Sequence, residues 1–192
     1  MHDLRRDVGV LMNISPVFRP DGYDAEVAAE LLKFEGTGSA VVRFSELADG
    51  LSDYAYWFIL GTLWVSYSGG SDLDLWKRLF ASPRRLRKVS LMKPDEYRAF
   101  KALPAKMTVF RAHREGETDW INYSLDPATA AQFAVQRGAE SIRAYRIYKR
   151  DVVALFLRRG EAEILVTDIA RACQVCDIDV VVRDAAGNPI AA

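Results

Sequence analysis

Cysteine, histidine, net charge and long apolar runs are all scarce in this sequence, and each scarcity narrows what the protein does. Basic and acidic residues balance at 26 each in 192 residues. No overall field therefore exists to hold nucleic acid through its phosphates. The basic run PRRLRK, from Pro83 to Lys88, has no interleaved aromatics and reads as a solvated loop. The most apolar stretch, AYWFILGTLWVSY from Ala55 to Tyr67, is too short to span a bilayer. The opening MHDLRRDVGVLMNIS mixes acids and bases around no long apolar core, so no signal peptide is read there. The two cysteines, Cys173 and Cys176, form one C-x-x-C. Zinc needs about four ligands, and His2 and His113 are poor candidates to complete a set, so no metal is expected. A redox pair would sit at a helix start after a strand, which this context does not clearly offer. Both cysteines are read as buried thiols of a soluble protein in a reducing, cytoplasmic compartment.

What is present is apolar substance: half of the residues are hydrophobic, enough for a core without disulfides or metals. The first half reads as helical. Asp24 is placed to cap a helix through AEVAAELLKFE, with Gly36 past its end. Ser52 starts a helix in which Trp57, Leu60 and Trp64 recur at helical spacing, as a helix–helix core or a binding surface. Ser66 to Ser71 reads as a loop, Asp72 to Ala81 as a helix, and Pro94 as the first residue of a helix ended by Pro104.

The second half changes to strands. They are read at Thr108 to Arg111, Ile121 to Leu125, Ser141 to Lys149, Val152 to Leu157, Ala162 to Val166 and Asp177 to Arg183. A turn follows at Asp184 to Pro189. One clear helix interrupts them, capped by Asp126 with Pro127 in its first turn and running to Gly138. Short loops and a single helix favour α+β over a doubly wound parallel sheet. The organisation expected is a helical region, 1–104, packed on a β-rich module, 105–192, as one compact domain.

Three polar elements stand out in that module: Arg111 ending TVFR, Asn122-Tyr123-Ser124 leading into the helix, and Glu161-Ala162-Glu163 opening the strand EILV. In a strand, residues two apart point to the same side, so Glu161 and Glu163 are expected to share one face. Two like charges on one face suit an exposed edge or a site that uses them. The arginine suits either a surface strand or a pocket for an anion.

The order of the three resembles the arginine–serine–glutamate class of mono-ADP-ribosyltransferases. The match is closer to a group of phage and bacterial proteins of that class. It rests on LMKPDEYRAFKALPAKMTVFRA, on NYSLDPATAAQFA and on LRRGEAEILV, covering about Ser90 to Val166. The resemblance implies an ADP-ribosyltransferase-like split β-sandwich with an N-terminal helical region. It implies transfer of ADP-ribose from NAD, as substrate, to a protein acceptor, such as an arginine side chain, with release of nicotinamide. The acceptor would be a protein of a bacterial or host cytoplasm; a nucleic-acid acceptor is an alternative, and no membrane is involved. By family position Glu163 stabilises the cation left on the ribose, and Glu161 orients the acceptor and is placed to take its proton. Arg111 suits the two phosphates of NAD. Asn122 and Ser124 order the ribose and the arginine; Tyr123 and Phe133 are read as core residues, with packing of one of them on the nicotinamide ring as the alternative. His113, two residues past Arg111, is a candidate to face the same cleft. No G-x-G-x-x-G loop is present, so the NAD site would not be of Rossmann type. One departure bears on activity: Asn122 stands where the family has a serine. An NAD glycohydrolase and a non-catalytic interaction protein keeping the fold are the rival readings.

Overall fold

A computed structural model describes residues 15–67, 72–183 and 189–190. The expectations for the N-terminal segment, for most of the loop after Ser66 and for most of the turn from Asp184 lie outside the described residues. The chain divides into two compact units, Met1–Lys101 and Ala102–Ala192. The architecture is α+β, with seven α-helices among the described residues and a six-stranded antiparallel sheet.

The first unit is helical because its apolar residues recur at helical spacing and its helix starts carry caps. Helix α1 spans Gly22–Leu32 and is capped by Asp21, whose carboxylate accepts from Asp24 N at 3.1 Å. Asp24, expected as the cap, does something else. Its carboxylate accepts from Ser52 N and Ser52 Oγ at 2.9 and 2.6 Å, tying α1 to the start of a later helix. Helix α2, Ser39–Leu47, escaped the sequence reading. It follows Gly38 with no side-chain cap, so no start signal marks it. Helix α3, Asp53–Ser66, is capped by Ser52 as expected and buries Trp57 and Leu60 completely. Burial of each such side chain contributes on the order of 2 kcal/mol. Helices α4 (Leu73–Phe80), α5 (Arg87–Leu91) and α6 (Pro94–Ala102) complete the unit. Gly61 lets α3 approach α5: a Cβ there would stand 2.7 Å from the Leu91 carbonyl oxygen.

The basic run from Pro83 is not simply a solvated loop. Its last residues begin α5, and Arg84 donates to the carbonyls of Leu51, Ala48 and Asp49 at 2.6, 2.8 and 3.1 Å. The same guanidinium lies 4.7 Å from the centre of the Tyr56 ring. Side chains spent in this way hold the fold together.

In the second unit strands β1 (Lys106–Arg111), β2 (Asn122–Ser124), β3 (Ser141–Tyr148), β4 (Ala154–Phe156), β5 (Glu163–Leu165) and β6 (Cys173–Asp179) form one sheet in the order β4-β5-β2-β1-β3-β6. A short β7 (Val182–Arg183) pairs with β8 (Pro189–Ile190). Helix α7, Pro127–Arg137, starts as expected: the Asp126 carboxylate accepts from Ala128 N and Thr129 N. It ends at Gly138, which takes the left-handed conformation (φ 66°) that glycine adopts without strain. Ala130 and Ala134 of α7 pack with Ala112 and Ile142; side chains this small let the helix lie close on the sheet.

Two expectations for the end of the chain are corrected. The final strand is not one run from Asp177 to Arg183: β6 begins at Cys173 and ends at Asp179, with β7 separate. The cysteines are exposed rather than buried. The reason is topological. Strand β6 is the last in the sheet, and all seven of its residues are exposed, Val175 and Ile178 included.

Candidate functional site

The sheet order places the three motif segments on three adjacent strands, β5, β2 and β1. Ser124 faces Glu163 across β2 and β5 and faces Phe110 across β2 and β1. Glu163 also faces Phe156 of β4. Directly paired residues point to the same side of a sheet, so Ser124 and Glu163 share a face, and so does Asn122, two positions from Ser124. Asn122, at the start of β2, joins Arg111 to Glu163. Arg111 Nη1 donates to Asn122 Oδ1 at 2.6 Å and to the Asn122 carbonyl oxygen at 2.9 Å. Asn122 Nδ2 donates to Glu163 Oε1 at 3.0 Å. A guanidinium only donates and a carboxylate only accepts, so this network fixes which end of the amide is which. Arg111 and Glu163 are both buried, at 9% and 7% exposure. Burial of such groups is costly unless hydrogen bonds compensate, and here they do.

Arg111 has a second partner that the sequence reading missed. Its Nε and Nη2 donate to Glu117 Oε2 and Oε1 at 3.1 and 2.6 Å, a two-pronged ion pair. Glu117 lies on the loop between β1 and β2, where Gly116 (φ 69°) allows a tight turn closed by Glu117 N donating to the Arg114 carbonyl. No periodicity marks a loop residue as a partner for a strand residue, which is why pattern reading passed over it. His113 joins the same group: Nδ1 lies 2.9 Å from Glu117 Oε2 and Nε2 lies 2.7 Å from the Tyr145 hydroxyl. Burial raises the pKa of Glu117, but hydrogen bonds from His113 and Arg111 outweigh it and hold the carboxyl at about 2.

Aromatic rings line this side. Trp120 stands 4.3 Å from His113 and 5.8 Å from the Arg111 guanidinium carbon, and Tyr123 meets Tyr145 edge-on at 5.3 Å. Tyr123 is buried, and burial pushes its hydroxyl up to about 12. The Trp120 indole nitrogen and the Tyr123 hydroxyl are both buried and make no well-formed hydrogen bond. Each such orphan costs about 1–3 kcal/mol. The neighbouring Trp120 indole opposes part of the rise at Tyr123. Neighbouring Arg137 donates to the Ala112 carbonyl at 2.5 Å. Burial, then the charges of Arg111 and Arg114, lower its pKa.

The other expected site residues have these places. Ser124 Oγ donates to the Glu161 carbonyl and accepts from Asp126 N, both at 3.0 Å, so it braces the turn into β5 and the start of α7. Glu161 precedes β5 instead of starting it, and Ala162 between the two acids has φ 45°. Strand alternation therefore does not put Glu161 and Glu163 on one face. The Glu161 carboxylate is half-buried and pairs with Arg159 at 3.2 Å. Phe133, on α7, packs against the cluster of Ala112, Ala130, Ala134 and Ile142, and its ring centre lies 5.3 Å from the Arg137 guanidinium carbon. Among the described residues no group of three or more side chains suited to a metal ion is found, and no helix is long and apolar enough to cross a membrane.

No protein-family model, curated protein or solved structure matches this chain.

Proposed function

We propose that the chain is an NAD-dependent mono-ADP-ribosyltransferase acting on a protein of the cytoplasm, with its sheet part of an ADP-ribosyltransferase-like split β-sandwich. One observation carries the reading: a buried guanidinium and a buried carboxylate, from strands far apart in sequence, meet on the Asn122 side chain. The reaction breaks the bond between nicotinamide and ribose. Nicotinamide leaves neutral with the bonding electron pair, so its departure needs no proton. The difficulty lies in the cation left on the sugar, as in glycoside hydrolysis. Glu163, fixed by Asn122, supplies a preorganised negative charge for that cation. A contact of this kind lowers the barrier by about 3–4 kcal/mol. The acceptor then bonds to the ribose carbon, and its proton passes to Glu161. In this reading Asn122 does the work expected of the serine, since an amide both donates and accepts.

Incubation with labelled NAD and a bacterial lysate tests the proposal. Label transferred by the wild type and lost with Glu163→Ala supports it; equal labelling by both proteins ends it. The pairing of Glu161 with Arg159 favours a second reading, hydrolysis with water as acceptor, because an ion-paired acid is less free to orient a protein nucleophile. Free ADP-ribose with no labelled macromolecule would select that reading.

A further inference from the structure

We propose that Glu117 is the resident occupant of an anion site. It fills the guanidinium fork of Arg111 and gives way, with the loop tip 114–118, to the diphosphate of a dinucleotide. The inference rests on the functional reading above for the identity of the ligand, but not for the existence of the site.

The chemistry of the cradle is that of a phosphate site. Both Glu117 carboxylate oxygens are held by Arg111, and one also lies against His113 Nδ1. A planar fork plus a third donor fits the oxygens of a phosphate as well as those of a carboxylate. The surroundings favour an anion. Of the charged groups that act on the neighbouring Arg137, Arg111 and Arg114 are basic and Glu117 alone is acidic. With Glu117 withdrawn, its compensation of Arg111 and Arg137 is lost, and a diphosphate restores it.

The loop is built to swing. Its ends are fastened: Arg137 holds the Ala112 carbonyl, and the Ile121 carbonyl accepts from Val166 N at 2.8 Å. Between them Arg114, Glu115 and Gly116 are exposed, and Gly116 supplies a turn at positive φ. The closed arrangement also leaves the buried Trp120 indole N–H without a well-formed hydrogen bond beside the guanidinium. That donor gains a partner when an oxygen-rich ligand enters. Asn122 keeps its own hold on Arg111 Nη1, so the guanidinium stays anchored while its other edge changes partner.

Calorimetry with inorganic pyrophosphate tests this without relying on NAD chemistry. The wild type should bind weakly, and Glu117→Gln at least tenfold more tightly. Equal or weaker binding by the variant, or no binding by either protein at 10 millimolar, overturns the proposal. Should the variant fail to fold, the wild type decides by carbon-13 NMR of its glutamate carboxyl groups. Saturating pyrophosphate should move the Glu117 signal to the position of a free carboxylate, and an unmoved signal overturns the displacement. Pyrophosphate binding without NAD cleavage would leave the anion site standing and remove the transferase reading.

Discussion

Asn122 holds Glu163 across two strands by one 3.0 Å hydrogen bond from its amide nitrogen, while its amide oxygen is held by Arg111. The bridge is directional: a donor must face the carboxylate and an acceptor must face the guanidinium. Serine, with one hydroxyl, can do both when its proton points to the acid. Alanine can do neither.

Asn122→Ser is therefore expected to keep nicotinamide release within about tenfold of the wild type, and Asn122→Ala to lower it about 100-fold. Release of labelled nicotinamide at fixed NAD, with circular dichroism as a folding control, measures both. Wild-type turnover by the alanine variant would mean that the bridge is idle.

Acid should weaken the fold through Glu117. Its folded pKa, about 2, lies below the ordinary carboxyl value of 4.5. The stability it contributes is thus fully present above pH 4.5 and is lost as the pH falls from there toward 2. Allowing for solvent screening, the loss between pH 5 and 3 is about 1 kcal/mol. Urea unfolding at several pH values should show a steeper decline in the wild type than in Glu117→Gln. Parallel curves would contradict the assignment.

Gly61 sets two effects against each other. Alanine in a helix interior is favoured over glycine by about 1 kcal/mol. The added Cβ, however, would meet the Leu91 carbonyl oxygen at 2.7 Å and Leu91 Cδ1 at 2.9 Å. Backbone cannot yield as a flexible side-chain tip can, so the clash should win. Gly61→Ala is expected to destabilise by about 1–3 kcal/mol in thermal or urea unfolding. A stabilised variant would show that α3 and α5 part easily.

Both thiols should be open to reagents in the native protein, since Cys173 and Cys176 are exposed on an edge strand. Titration with a chromogenic disulfide is expected to find two reactive thiols per chain before denaturation and no more after it. A thiol that reacts only on unfolding would place β6 deeper in the fold than the structure does.

Much of the backbone could be read from short-range signals. Ser52, Asp72, Asp126, Pro127 and Gly138 each mark a helix end by a local bond or dihedral preference, and each does so in the structure. Where no such signal exists, as at Gly38 before α2, the reading failed. Asp24 shows the converse: a good capping residue was one turn from the true cap, because its carboxylate was needed by Ser52, 28 positions away.

The sequence by itself determined the helical and β-rich halves, the strands that carry Arg111, Asn122 and Glu163, and the caps of α7, because these follow from the preferences of neighbouring residues. Only the tertiary structure decided that Glu117 takes the fork of Arg111, that Asn122 joins it to Glu163, that Glu161 lies outside its strand and that β6 lies at an edge. Those outcomes depend on which strand lies beside which and on where a loop folds back, and no local preference encodes either.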